Sequence, residues 1–180
     1  MIEQPMNQPI FKCIKSLFRE AGVQCVLVGG YAVNAFKVTR HTADIDFLIT
    51  RADFEKLKPA LLDMGYSVVH EQDVFAQLQG RMLRDVDFMF SDKETVTSIV
   101  ENGVRTKISG EEFVVPSLNH LIAMKLHSIK YNSHRELHDL PDIVYLMQAN
   151  SLSPHSPRIR AVFKKYGTPE LFEKVKRFFR

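Results

Sequence analysis

The 180-residue sequence predicts an α/β half followed by an all-helical half, and three observations carry that expectation. Short β-rich runs alternate with amphipathic helical stretches as far as Val115, whereas only helical periodicity follows Pro116-Ser117. A hydrophobic share of 45% is enough for a packed core and argues against disorder. No apolar run approaches the roughly 20 residues that a membrane span requires. The expected organisation is therefore an α/β core over residues 1–115 and a helical C-terminal segment over 116–180.

The elements can be read in order. Ile10, Phe11, Ile14, Leu17 and Phe18 recur at helical spacing within residues 8–21, and Gly22 supplies a stop. Residues 24–28 form a short β-rich run ending at Gly29-Gly30; 31–38 read as a short helix and 44–49 as a strand. A helix over 54–64 is capped by Thr50 or Asp53 and followed by Gly65. Residues 66–69, 74–78 and 82–90 read as strands, 94–101 as a helix, and 104–108 and 112–115 as short strands. Helices follow at 118–131, 141–149, 159–166 and 169–179, with Pro154 and Pro157 in a serine- and proline-rich link.

The net charge is +3, but its distribution is uneven. From Ser151 onward stand Arg158, Arg160, Lys164, Lys165, Lys174, Lys176, Arg177 and Arg180, against only Glu170 and Glu173. That tail carries +6 and leaves −3 for the rest. Such a tail suits a polyanionic partner such as RNA, or else is a solvated helix face. The start of the chain lacks the basic, apolar and small-residue sections of a secretory signal. Cys13 and Cys25 lie in apolar segments and read as buried free thiols, so a cytoplasmic protein is expected.

The chemistry-bearing stretch is ADIDFLIT. On a strand, Asp44 and Asp46 project from one face while Ile45 and Phe47 take the other. Two carboxylates about 6–7 Å apart repel each other, and a bridging divalent cation relieves this directly. Mg²⁺ takes hard oxygen ligands and keeps waters and phosphates in its remaining positions. RMLRDVDFMF offers a third carboxylate: Asp87 in its Val-Asp-Phe setting, ahead of Asp85, which follows Arg84. Gly29-Gly30 lets backbone N–H groups approach a phosphate, and a helix beginning at Tyr31 adds its positive end. Strand-end acids that face water or cap a turn are the plainer alternative.

This pattern, Gly-Gly, about a dozen residues, Asp-x-Asp and a distal hydrophobic-Asp-hydrophobic, resembles the DNA polymerase β-type nucleotidyltransferase superfamily. GGYAVNAF…RHTADIDFLI is similar to its minimal bacterial branch, which includes AbiEii-type toxin nucleotidyltransferases and small antibiotic nucleotidyltransferases. The resemblance implies a small mixed sheet with helices on one side. It also implies Gly29 and Gly30 at a nucleoside triphosphate, and Asp44, Asp46 and Asp87 holding two Mg²⁺, or Mn²⁺, with ATP among the candidate donors. Arg40-x-Thr42-x-Asp44 matches the loop before the catalytic strand, which Arg40 and Thr42 would shape, and the resemblance implies Tyr31, Arg40 and Thr42 at the nucleotide. Arg40 as an ordinary solvated arginine is the plainer alternative. PSLNHLIAMKLHSI resembles a helix whose lysine, here Lys125, reaches nucleotide phosphates. HDLPDIVYLM resembles an Asp-Leu-x-Asp helix start with Asp139 as cap and Pro141 in the first turn. The resemblance places that aspartate near the active site, which makes Asp139, like Asp85, a secondary site candidate. Leu137-His138 replaces the basic residue usually found before that aspartate.

The acceptor stays open between RNA, tRNA included, a small drug hydroxyl and a protein side chain, and toxin–antitoxin relatedness follows only from the resemblance. The competing reading is a chain of this fold that binds nucleotide or a partner without turnover. His134 and His138 stand four apart but lack a third ligand with zinc spacing. Phe172, Val175, Phe178 and Phe179 are expected to pack inward rather than stack on bases.

Overall fold

The computed structural model describes residues 7–179. Residues 1–6, where the reading for a secretory signal began, and Arg180 of the basic tail lie outside them. Two compact units are present: one holds the chain up to Tyr31 together with His41–Pro116, the other Ala32–Arg40 together with the chain from Ser117.

The first unit is a mixed α/β layer. Its strands are β1 (Val26–Leu27), β2 (Ile45–Ile49), β3 (Tyr66–Glu71), β4 (Phe75–Gly80) and β5 (Val86–Phe90), in the order β1-β2-β5-β4-β3. Among the described residues, β2 and β5 pair in parallel and the other pairs of this sheet are antiparallel. β6 (Val104–Ile108) and β7 (Glu111–Val115) form a separate antiparallel pair. α1 (Asn7–Glu20), α3 (Arg51–Asp63) and α4 (Lys93–Asn102) complete the unit, and α2 (Gly29–Asn34) starts within it.

Strand alternation explains the core. Ile45, Phe47, Val86 and Phe88 are fully buried on one face, where the Phe47 and Phe88 rings stack at 5.9 Å. Phe18 of α1 meets Phe47 edge-on at 4.9 Å, and Phe54 of α3 lies 5.3 Å from Phe88. Phe11 and Ile14 are buried on the same helix as Cys13, but Cys13 is exposed, because it falls on the opposite side of α1. The expectation of two buried thiols therefore fails for Cys13. Cys25 is partly enclosed, and burial pushes its thiol up to about 12, against a smaller opposing effect of Lys15.

Several boundaries differ from the sequence expectation for local reasons. β5 begins at Val86 rather than residue 82, because the Asp85 carboxylate accepts the Gly80 backbone N–H at 3.1 Å and so closes the turn from β4. β2 begins at Ile45, leaving Asp44 in a bend; the Thr42 hydroxyl donates to the Asp44 carbonyl at 3.2 Å. α2 begins at the glycines themselves, not at Tyr31. Thr50 caps α3, accepting the Asp53 N–H at 3.0 Å.

The second unit contains α5 (Leu118–Tyr131), α6 (Glu136–Ala149), α7 (Pro157–Tyr166) and α8 (Pro169–Lys176), with Ser117, Ser156 and Thr168 as hydroxyl N-caps of α5, α7 and α8. α6 starts five residues before Pro141, following a 3₁₀ turn at Ser133–Arg135, so Asp139 lies in its first turn rather than at its cap. The carbonyl that Pro141 leaves unpaired within α6 belongs to Leu137, an exposed residue. Val175 is buried as expected, whereas Phe178 is exposed in the terminal 3₁₀ turn. Among the described residues no helix is long and apolar enough to cross a membrane.

Candidate active site

In the first unit the parallel pairing of β2 with β5 places Asp46 directly beside Asp87. Both side chains take the face opposite the buried Phe47 and Phe88. Neither is fully buried, so the carboxylates are reachable from solvent. Asp44 is exposed, one residue ahead of the strand, and Asp85 stands one residue ahead of β5. Four acids thus lie at the same ends of two adjacent strands.

This crowding has an electrostatic consequence. Burial raises the Asp87 carboxyl above its ordinary value, and the charges of Asp44 and Asp85 push it further, against a lowering hydrogen bond from Gln77 Nε2 at 3.1 Å. The carboxylate oxygens suit a hard divalent ion, and a cation would offset the repulsion that Asp44 and Asp85 add to the effect of burial on Asp87. Among the described residues, no three His, Cys, Asp or Glu side chains converge into a ligand group. Strand register, rather than convergence on one point, brings these acids together; the exposed His134 and His138 likewise form no such group.

One of the two glycines meets the Asp46 carboxylate at close range. Val28 N–H bonds the Asp46 carbonyl at 2.9 Å, which brings the chain onto β2 just before α2. Gly29 then turns with φ +59°, and a Cβ there would lie 1.9 Å from Asp46 Oδ2. A Cβ on Gly30 would lie 2.6 Å from Thr42 Oγ1. Both positions therefore admit only glycine: the start of α2 packs against the Asp46 carboxylate and the Thr42 side chain.

Arg84 was not among the residues singled out from the sequence. Its Nη1 donates to the carbonyls of Thr42 and Ala43 at 2.8 and 2.9 Å, holding the loop that delivers Asp44. The Tyr31 hydroxyl also meets Arg84: burial raises the phenol, and the guanidinium's charge and hydrogen bond oppose that rise. The Arg-Asp-Val-Asp run was its only sequence mark, since bonds to backbone carbonyls leave no signature on their acceptors.

Arg40, Lys125 and Asp139 belong to the second unit, where they build a charged cluster. Lys125 Nζ contacts Asp139 at 2.8 Å and Asp142 at 2.7 Å, with all three side chains almost fully buried. Arg40 pairs with Asp142, while Asn34 clamps the Arg40 backbone through bonds of 2.9 and 3.0 Å. Arg135 adds contacts to Asp139 at 3.1 and 3.3 Å. Burial would raise the Asp139 carboxyl, but the charges and hydrogen bonds of Lys125 and Arg135 leave it below its ordinary value. Asp142 is the residue that sequence reasoning missed; an acid within the apolar run of LPDIVYLM was the available signal.

The family described as "Uncharacterised nucleotidyltransferase" matches residues 6–177. Solved structures share the fold. ANT(2″)-Ia in complex with adenylyl-2″-tobramycin superimposes with a TM-score of 0.62 at 14% identity, over 96% of this chain and 98% of that one. The lincosamide antibiotic adenylyltransferase LnuA, lincomycin-bound, gives 0.57 at 19% identity, over 82% and 99%. An antigenic nucleotidyltransferase-like protein from Paracoccidioides brasiliensis gives 0.55 at 15%, over 97% and 94%. No curated protein sequence matches the chain significantly. The small mixed sheet, the glycine-started helix against an acidic strand and a family match over almost the whole chain agree: this chain belongs to the nucleotidyltransferase family.

Proposed function

We propose that the chain transfers a nucleoside monophosphate from an NTP to an acceptor hydroxyl, at the carboxylate ends of β2 and β5. The observation that carries this reading is the in-register Asp46–Asp87 pair, with Gly29 packed so closely on Asp46 that no side chain fits between them. Asp44, Asp46 and Asp87 would hold divalent ions, Mg²⁺ or Mn²⁺, which supply charge neutralisation at a transferring phosphoryl group. Gly29 and Gly30 leave backbone N–H groups accessible to the triphosphate. Thr42 and Tyr31 border that start of α2, and Arg84 keeps the Asp44 loop in place. Arg40, Lys125 and Asp139 act in the second unit as one hydrogen-bonded framework, with Asp142 as its shared anion. ATP is the donor we favour, in keeping with two structural neighbours named as, or bound to the product of, adenylyl transfer.

In the reaction the acceptor oxygen forms a bond to the α-phosphorus, the bond to the β-phosphate oxygen breaks, pyrophosphate leaves and the hydroxyl proton is released. The protein's contribution is positioning and charge, not covalent chemistry. The test compares α-³²P with γ-³²P ATP, using RNA, protein and small-molecule fractions of a cell extract. Acceptor labelling from the α position only, absent in Asp44→Ala/Asp46→Ala, supports the reading. Labelling from the γ position, or equal labelling by the variant, overturns it, and binding without any labelling leaves the non-catalytic alternative in its place.

A further inference from the structure

The basic tail is not uniformly charged in the folded chain. Lys174 pairs with Glu136, and Lys176 with Glu173 at 2.8 Å, so these two cations are locally neutralised. The α7 cations differ. No acid occurs from Ser151 to Pro169, and neither Arg160 nor Lys164 forms an ion pair among the described residues. Both are exposed, one helical turn apart.

These two residues stand at a cavity of about 320 Å³ between α7 and α8, lined also by Phe163, Gly167, Thr168, Pro169 and Phe172. Phe163 and Phe172 meet there at 5.3 Å with their planes 63° apart, and Phe172 is only partly buried. An apolar, aromatic hollow edged by two unneutralised cations matches a ligand with a flat apolar face and anionic groups beside it. A duplex would hide its base faces in the stack, whereas a single strand offers them.

We infer that the α7–α8 cleft binds single-stranded nucleic acid, an unstacked base entering the Phe172-lined cavity while adjacent phosphates lie on Arg160 and Lys164. The surface belongs wholly to the second unit and needs neither NTP nor metal, so it stands or falls separately from the transfer reaction.

The test is fluorescence anisotropy with labelled single-stranded RNA and DNA of about 16 nucleotides, without NTP or divalent ion. The wild type should bind, with log K falling linearly against log salt. The double variant Arg160→Gln/Lys164→Gln should reduce that slope by about 1.4, at about 0.7 per lost phosphate contact. Phe172→Leu, which keeps apolar volume, should weaken binding by about tenfold with the slope unchanged. Preference for the RNA strand would identify RNA as the natural source of the ligand, and equal affinity a single strand of either sugar. Absence of binding at low salt, duplex binding as tight as single-strand binding, or binding insensitive to Phe172→Leu would overturn the inference. Unchanged melting temperatures of the variants show that the cleft, not the fold, was altered.

Discussion

Replacing Gly29 by alanine tests the link between backbone geometry and the acidic site. Two costs are separable. An L-residue held at the φ of +59° seen here costs about 1–2 kcal/mol. For a chain of this size that lowers Tm by about 2–8 °C. The second cost is steric. The new Cβ would stand 1.9 Å from Asp46 Oδ2, 2.4 Å from Cγ and 2.9 Å from Cβ, so rotating the carboxylate alone does not clear it and the start of α2 or the Asp46 side chain must shift. A displacement on the order of 1 Å at a reacting centre costs about a hundredfold in turnover. Gly22→Ala is the control, because Gly22 has φ +63° but nothing within 4 Å of the added Cβ. Circular-dichroism melts and α-³²P transfer assays on both variants should show a loss of Tm in each, larger in Gly29→Ala, but loss of activity only in Gly29→Ala. Equal activity in the two would refute the claim that Gly29 is glycine for the sake of Asp46.

Two further outcomes follow from the charged framework and a third from the loop that carries Asp44. Asp142→Ala removes the anion shared by Arg40 and Lys125 while Lys125 keeps Asp139; losing these charge-assisted bonds costs about 1–3 kcal/mol, and thermal denaturation should show Tm lowered by about 2–12 °C. Because the Asp139 carboxyl is lowered in the folded state, its stabilisation is fully present above the unfolded value near about pH 4 and is lost as pH falls through the folded value. Urea midpoints below about pH 4 should therefore vary less with pH in Asp139→Asn than in wild type. Arg84→Gln releases the Thr42 and Ala43 carbonyls and should lower kcat about tenfold while changing the KM for NTP less, measured by steady-state transfer; a change in KM alone would place Arg84 in nucleotide binding instead.

The parts of the site that were legible in the sequence are those that obey strand periodicity. Asp46 and Asp87 interrupt runs whose alternate residues, Phe47 and Phe88, are buried, so their shared face could be read directly. Asp44 was harder: it keeps the right spacing, but the Thr42 hydroxyl takes its carbonyl and the strand starts one residue later. Gly29-Gly30 was legible as a tight turn, yet not as the first residues of α2, since only the approach of Asp46 and Thr42 shows what the missing side chains make room for. Lys125 pairs with Asp139 and Asp142, residues 14 and 17 positions away on another helix, and no local pattern records such a pairing. The same holds for Arg84, whose acceptors are backbone atoms about forty residues earlier. Pro141 misled the helix boundary because proline is usually a first-turn residue, and here an exposed position tolerates it deeper in α6.

The central claim is that Asp44, Asp46 and Asp87, with Gly29 and Gly30, make one site for an NTP and its divalent ion. Its most direct measurement is the change in Tm on adding ATP with and without Mg²⁺, in wild type and in Asp46→Asn and Asp87→Asn. At ligand about 100 times Kd the stabilisation is about 2.7 kcal/mol, or roughly 5–11 °C for this chain. The account predicts a shift of that size in wild type that depends on Mg²⁺ and disappears in both variants. A shift of equal size without Mg²⁺, or one retained by the variants, would contradict it.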